Sequence, residues 1–93
     1  MTERELQAAV LQLAAHHGWR TIHHFDSRRT SPGWPDLIFV RGDRMIAWEL
    51  KSEKGRLTKA QRDWLNALSQ VRYVDVAVVR PAPTLDALEV WLR

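Results

Sequence analysis

The sequence predicts a mixed α/β (α+β) domain, in which helices cover the faces of a mixed sheet. Apolar residues recur at helical spacing in three segments, and short runs rich in β-branched and aromatic residues lie between these segments. Two of the runs are joined by a Gly-Asp pair, which is typical of a two-residue hairpin turn. The predicted order is α-β-β-β-α-β-α, within a single domain that spans residues 1–93.

The first predicted helix covers residues 2–17. Thr2 is a suitable N-cap, Glu3 and Glu5 lie in the first turn, and Gly18 is a stop signal. The apolar stripe of this helix consists of Leu6, Val10 and Leu13.

A strand over residues 19–25 and a polar loop over residues 26–33 precede the hairpin, which covers residues 36–51. In its turn, Gly42 supplies the positive φ that the first position requires. The remaining predicted elements are a charged loop over 52–57, a helix over 58–70, a strand over 73–80 and a closing helix over 84–93. Thr58 and Gln61 have the spacing of a capping box at the start of the middle helix.

Two carboxylates and a lysine are predicted to share one face of the hairpin. If Arg41 faces Arg44 across the turn, the register brings Asp36 directly opposite Glu49. Facing Cβ atoms are about 4.5–5.5 Å apart, so the two negative charges would repel each other. The period of two along a strand puts Lys51 on the same face as Glu49. A three-residue turn would shift the pairing by one residue, so the prediction depends on the turn.

A divalent cation would resolve the repulsion between Asp36 and Glu49. Carboxylate oxygens, a backbone carbonyl and water are ligands that Mg²⁺ accepts, and the carbonyl of Leu50 is suited to be the third protein ligand. The cation would activate a phosphodiester, and Lys51 would orient or deprotonate the attacking water. The structural alternative is that Asp36 caps a turn and that Glu49 pairs with Lys51 or an arginine.

Composition excludes several classes of protein. The 93 residues contain no cysteine, which excludes disulfides and thiolate zinc sites and suits a reducing cytoplasm. Neither a membrane span nor a signal peptide is expected, and no P-loop motif indicates a nucleotide cofactor. Lysine and arginine exceed aspartate and glutamate by three, and the pI is about 10. The expected partner is therefore nucleic acid.

Several motifs resemble a known nuclease family. Pro35-Asp36 followed by Glu49-Leu50-Lys51 is similar to the PD-(D/E)xK nuclease signature, and the order of elements looks like the core of that superfamily. More narrowly, ERELQ, PGWPDL, WELK and LTKAQRDW resemble the VRR-NUC family, the virus-type replication-repair nuclease domains. The resemblance extends over nearly the whole chain. It implies a restriction-endonuclease-like fold and Mg²⁺- or Mn²⁺-dependent cleavage of DNA, often at four-way junctions or flaps.

The resemblance also implies roles for individual residues. Asp36 and Glu49 would hold the metal, and Lys51 would be the catalytic lysine. Family members carry a first-helix glutamate that reaches the metal through water. Here it is Glu3 or Glu5, and helical geometry favours Glu3 because it precedes the apolar stripe. Gln61 matches a family glutamine that faces the site, and this role does not exclude a capping-box contact.

Five basic residues and a tryptophan are candidates for DNA contact. Trp34 would stack on a base or a sugar, or else fill the core. The basic candidates lie in the loops before and after the site and at the start of the middle helix, and each has the alternative of a solvated surface charge. They are Arg28, Arg29, Lys54, Arg56 and Lys59.

The carboxylate cluster thus predicts a metal-dependent nuclease, and the resemblance implies that it cuts branched DNA during replication, recombination or repair. We expect it in the cytoplasm of a bacterium or a phage-infected host cell. The resemblance further implies a homodimer whose two sites cut opposed strands. Two alternatives remain, a DNA-binding module of the same fold that does not cut and a restriction-type, sequence-specific nuclease. The repelling carboxylates favour an enzyme, and 93 residues leave little protein beyond the core for reading bases.

Overall fold

The sheet is built around the hairpin that the Gly-Asp pair predicts. In the computed structural model, which describes residues 1–23, 31–81 and 85–93, Gly42 has a φ of +61°. The two strands pair from Arg41 opposite Arg44 to Leu37 opposite Trp48. The two-residue turn and its register are therefore confirmed.

Helices and strands follow the predicted order along the chain. Within the described ranges they are α1 (Glu3–His16), β1 (Arg20–His23), β2 (Leu37–Arg41), β3 (Arg44–Leu50), α2 (Lys59–Ser69), β4 (Val74–Val79) and α3 (Leu85–Leu92). The strands form one sheet in the order β1-β2-β3-β4. The first two pairs are antiparallel, whereas β4 runs parallel to β3 after the crossover through α2. The prediction of a mixed sheet with helices on its faces is confirmed.

Most element boundaries lie within one or two residues of the predicted ones. Thr2 and Thr58 are N-caps, each in a capping box, so the two helices begin one residue later than predicted. Strand β4 begins after Tyr73, whose φ of +68° is incompatible with a strand. Trp19 precedes β1 and lies in the core, where its indole N–H donates to the carbonyl of Leu92 at 2.7 Å.

The two faces of the sheet bury different side chains. Alternation along β3 sends Ile46, Trp48 and Leu50 to the face that α1 and α3 cover. On α1, Ala14 is fully buried where the predicted stripe had Leu13, which is only partly buried. The other members of this core include Leu6, Val10, Leu37, Phe39, Leu88 and Leu92. Helix α2 lies on the opposite face of the sheet, and the Glu49 side chain points toward α2.

Strands β3 and β4 end together at one edge of the sheet. They are parallel and pair up to Leu50 opposite Val79, and the backbone N–H of Lys51 donates to the carbonyl of Val79 at 3.0 Å. The antiparallel β2 begins at this same edge, just after Asp36. Every residue of the predicted carboxylate and lysine cluster is therefore at one end of the sheet. Among the described residues, no helix is both long and apolar enough to span a membrane.

Candidate active site

Asp36 and Glu49 lie side by side where β2 begins and β3 ends. The hairpin register, continued one step beyond Leu37 and Trp48, brings the two carboxylates opposite each other. Asp36 Oδ2 accepts a hydrogen bond from the backbone N–H of Leu50 at 2.8 Å. The structure thus brings together the two carboxylates that the turn predicted to be neighbours. Asp36 is held by the end of β3 rather than by a local turn.

Glu49 is a buried carboxyl, and within the described residues one of its two oxygens lacks a hydrogen-bond partner. Its side chain is 2% exposed, and Oε1 accepts a hydrogen bond from Gln61 Nε2 at 3.0 Å. Oε2 has no hydrogen-bond partner within the described part of the chain. Burial, and next the negative charge of Asp36, raise the pKa of Glu49 to about 8, although the positive charge of Lys51 opposes the shift. Because a buried acceptor without a partner is costly, Oε2 is the place for a proton or an added ligand.

The oxygen donors at this edge fit a hard divalent cation. The N–H and C=O groups of one strand residue point to the same side, and the N–H of Leu50 points to Asp36. The Leu50 carbonyl is therefore on the Asp36 side as well. Two carboxylates and a carbonyl are donors of the kind that Mg²⁺ and Mn²⁺ accept. Across residues 1–23, 31–81 and 85–93, no group of three His, Cys, Asp or Glu side chains is arranged to hold a metal.

Gln61 connects the carboxylate pair to the start of α2. Its Oε1 accepts a hydrogen bond from the backbone N–H of Thr58 at 2.9 Å, and its own backbone N–H donates to the Thr58 hydroxyl at 3.1 Å. Its Nε2 donates to Glu49 Oε1. The Gln61 side chain therefore completes the capping box and also contacts the Glu49 carboxylate. These are the two roles that the sequence analysis treated as compatible.

Lys51 follows β3 directly, and the loop after it is held by Arg80, which sequence reasoning missed. The side chain of Lys51 is half-buried. Arg80 Nη1 donates to the carbonyls of Ser52 and Gly55 at 2.8 and 2.6 Å. The signal for this contact is the parallel pairing of β3 and β4, which the structure supplies. Because parallel strands end at the same edge, the residue after β4 has to lie near the residues after β3.

Among the described residues, neither glutamate of the first helical turn forms a metal-holding group of three carboxylates with this pair. The Glu5 carboxylate accepts the backbone N–H of Thr2 at 3.1 Å, which completes the capping box of α1 and lowers the pKa of Glu5. Glu3 is exposed and lies one turn before Leu6, the first buried residue of the helix. Glu5 is thus occupied by the cap. Contact of Glu3 with a cation through water stays a prediction.

The candidate DNA-contacting residues divide into three sets. Lys54, Arg56 and Lys59 are exposed, and Lys59 forms an ion pair with a neighbouring aspartate in α2 at 2.7 Å. The indole ring of Trp34 is half-buried and packs edge-to-face on Trp64, with 4.9 Å between ring centroids. This contact is the packing alternative for Trp34. Outside the described residues lie Arg28, Arg29 and the predicted end of β1 at Phe25.

In the described residues, a mixed four-stranded sheet carries a carboxylate pair and a lysine at one end, and the family match below makes this a nuclease-type domain. Comparison with protein families identifies the particular kind. The model of the VRR-NUC domain matches residues 1–83, and the chain belongs to this family. A solved structure described as a VRR_NUC domain protein is similar, with a TM-score of 0.71 and 19% sequence identity. The likeness covers 99% of this chain and 88% of that chain, and it confirms the fold. No curated protein matches.

Proposed function

We propose that the protein is a Mg²⁺- or Mn²⁺-dependent endodeoxyribonuclease that hydrolyses phosphodiester bonds in branched DNA, such as four-way junctions or flaps. One observation carries the proposal. Glu49 is buried beside Asp36, and its Oε2 has no partner among residues 1–23, 31–81 and 85–93. Two neighbouring like charges, one of them buried, do not favour stability, so a role in chemistry accounts for them better. Membership of the VRR-NUC family supports this reading.

Four residues would bind the cation in this proposal. Asp36, Glu49 and the carbonyl of Leu50 are direct ligands, and Glu3 reaches the cation through water. When bound, the cation supplies Lewis-acid activation of the scissile phosphate and lowers the pKa of a coordinated water. One or two carboxylates and several retained waters are the usual environment of Mg²⁺ in enzymes that act on phosphates.

Lys51 and Gln61 act on the water and on the carboxylate. As an ammonium, Lys51 orients the attacking water and stabilises negative charge on the phosphate oxygens, and as a neutral amine it takes the proton of that water instead. The water oxygen bonds to phosphorus as the bond between phosphorus and the leaving oxygen breaks. Gln61 holds Oε1 of Glu49 by a hydrogen bond of 3.0 Å, which leaves Oε2 available to the cation.

The net charge of +3 and the exposed Lys54 and Arg56 support DNA as the substrate. Arg28, Arg29 and Lys59 complete the proposed DNA contacts. We also propose a homodimer, which would set two sites against opposed strands. Val90 and Trp91 on α3 are 58% and 61% exposed, and apolar surface of this kind favours a protein partner. The proposed setting is replication, recombination or repair in the cytoplasm of a bacterium or a phage-infected host.

A second candidate function is a DNA-binding module of the same fold that does not cut. The observation in its favour is that only Asp36 and Glu49 gather at this edge, with no third carboxylate arranged beside them among the described residues. A restriction-type, sequence-specific nuclease has less support, because the chain offers little protein beyond the core for base contacts.

Cleavage of labelled duplex, flap and four-way-junction DNA tests the proposal. We expect cutting with Mg²⁺ or Mn²⁺, no cutting with EDTA, and loss of cutting in Lys51→Ala. Arg72→Ala is the matched control, because Arg72 is an exposed cation at the opposite end of β4. Binding without cutting under every metal condition would support the non-catalytic module. Cutting by Lys51→Ala at the wild-type rate would contradict the assignment of Lys51.

A further inference from the structure

Gly33 lacks a side chain at the point where the segment before β2 meets α2. Its φ is +84°, a conformation that favours glycine. A Cβ atom at this position would lie 2.3 Å from the carbonyl carbon of Ala60, 2.5 Å from the oxygen of Ala60 and 2.6 Å from the nitrogen of Gln61. These are backbone atoms in the first turn of α2. The contact therefore cannot be relieved by turning a side chain.

This close approach joins the two segments that carry the site. Asp36 is three residues after Gly33, and Gln61 belongs to the turn of α2 that Gly33 touches. The edge-to-face contact between Trp34 and Trp64 docks the same two segments one turn further along the helix. The position of α2 relative to the carboxylates thus depends on this docking.

The hydrogen bonds of Gln61 determine what α2 presents to the site. Because Gln61 Oε1 accepts the N–H of Thr58, the amide presents its Nε2 to Glu49. The amide group therefore donates to Glu49 Oε1 and leaves Oε2 without a partner in the described part of the protein. A helix displaced by about 1 Å would lengthen the 3.0 Å bond beyond hydrogen-bonding range.

We propose that Gly33 is a positioning residue for the cation site. Because it has no side chain, the first turn of α2 can pack close to it, and this packing keeps the Gln61 amide in contact with Glu49. The inference rests on the proposed function, in that the ligand of the carboxylates is a divalent cation. Gly33 itself does not touch the cation. It acts through Gln61, whose hydrogen bond orients the ligand Glu49. In other metal sites, too, hydrogen bonds to the ligands orient them.

The test compares Gly33→Ala with Gly42→Ala in Mn²⁺ binding by isothermal titration calorimetry, without DNA. Both glycines have positive φ, but the space around Gly42 is open, with nothing within 4 Å of an added Cβ. Both variants place an alanine at a positive φ, and only Gly33→Ala brings its added Cβ against the backbone of a helix. We expect Gly33→Ala to weaken Mn²⁺ binding about 10–100-fold, as loss of an outer contact does. Gly42→Ala should bind Mn²⁺ as the wild type does.

Two further variants keep the test decisive if Gly33→Ala does not fold. Trp64→Leu loosens the same docking without a clash, and we expect it to weaken Mn²⁺ binding as well. In a Gln61→Ala background, Trp64→Leu should have no further effect on Mn²⁺ affinity, since its effect runs through Gln61. Folded wild-type protein that binds no Mn²⁺ overturns the proposed metal site and this inference with it. Wild-type affinity in every folded variant overturns the positioning role alone.

Discussion

At the scale of single residues, Glu49 makes the stability of the cation-free protein depend on pH. A glutamate in the unfolded chain titrates near 4.5, whereas burial and Asp36 raise the folded pKa of Glu49 to about 8. Between these values the folded state holds a proton that the unfolded state lacks. The contribution of this proton to the free energy of unfolding is complete below pH 4.5 and is lost as the pH rises through 8. Between these values the free energy of unfolding falls by at most about 1.4 kcal/mol per pH unit.

Urea denaturation in EDTA over this pH range measures the effect as a fall in the free energy of unfolding with rising pH. Glu49→Gln is the control, because it keeps an oxygen acceptor for Gln61 but cannot ionise. The variant should lack the part of the slope that Glu49 causes. Parallel pH profiles for the two proteins would show that the pKa of Glu49 is not raised. Mg²⁺ should flatten the wild-type profile, since a bound cation replaces the proton.

Asp36 combines a repulsion with a hydrogen bond, and two substitutions separate them. In the wild type, Asp36 accepts a hydrogen bond from the N–H of Leu50 at 2.8 Å. Asp36→Asn removes the charge that repels Glu49 but keeps an oxygen that can accept this bond. We expect Asp36→Asn to abolish cleavage. At a pH of about 8, near the pKa of Glu49, we also expect it to raise the Tm of the cation-free protein. Asp36→Ala also abolishes cleavage, but it leaves that N–H unpaired and should be about 1–3 kcal/mol less stable than Asp36→Asn.

Thermal unfolding in EDTA measures both variants, and DNA binding in EDTA checks that each still recognises its substrate. A lower Tm for Asp36→Asn than for the wild type would mean that the two carboxylates do not repel each other in the folded protein. Equal stability of the two variants would mean that the bond to Leu50 contributes nothing measurable.

At the scale of elements, the sequence was sufficient wherever neighbours along the chain decide the structure. Gly42 and the residue after it specified a two-residue turn, and that turn alone determined that Asp36 and Glu49 would be neighbours. Thr2 and Thr58 specified the starts of two helices through their capping boxes. In each case the deciding interaction spans no more than four residues, so it can be read from spacing.

Contacts between distant segments could not be predicted in the same way. The docking of Gly33 on the backbone of Ala60 requires the path of α2 over the sheet, and no local spacing encodes it. The exposure of Glu3 depends on where α1 first meets the core, which is at Leu6. The role of Arg80 was within reach, because its position follows from the parallel pairing, but that pairing had to be known first.

The loop after Lys51 depends on Arg80 for its position. Arg80→Met keeps an unbranched side chain but removes the donors to the carbonyls of Ser52 and Gly55. Hydrogen bonds that involve a charged group contribute about 1.5–3 kcal/mol each, and this loop is partly solvated, so we expect a loss of roughly 2 kcal/mol. Chemical denaturation measures the loss, with Arg72→Met as the exposed control.

Limited digestion with trypsin gives a second measurement of the same loop. Trypsin cleaves after Lys54 and Arg56, and we expect faster cleavage there in Arg80→Met than in the wild type, since the loop opens more often. Equal stability and equal cleavage rates for Arg80→Met and wild type would show that the loop is held by other contacts.

At the scale of the whole molecule, the proposed function places DNA at the end of the sheet that carries the carboxylate pair. The carboxylate pair lies where β3 and β4 end, and the exposed Lys54 and Arg56 follow β3 at that edge. A net charge of +3 is modest, so the local arrangement of cations has to guide the strand past two carboxylates. The cation that we propose would also reduce the negative charge that the phosphates meet.

The salt dependence of DNA binding reports which cations meet phosphate. For duplex DNA, the slope of log K against log salt falls by about 0.9 for each phosphate contact that is lost. The double variant Lys54→Ala with Arg56→Ala should therefore flatten the slope by up to about 1.8. The double variant Arg28→Ala with Arg29→Ala should do the same if those two arginines also contact DNA phosphates. Arg72→Ala, at the far end of β4, should leave the slope unchanged. Fluorescence anisotropy in EDTA measures each slope without cleavage. An unchanged slope for Lys54 and Arg56 would place the DNA away from the loop that Arg80 holds.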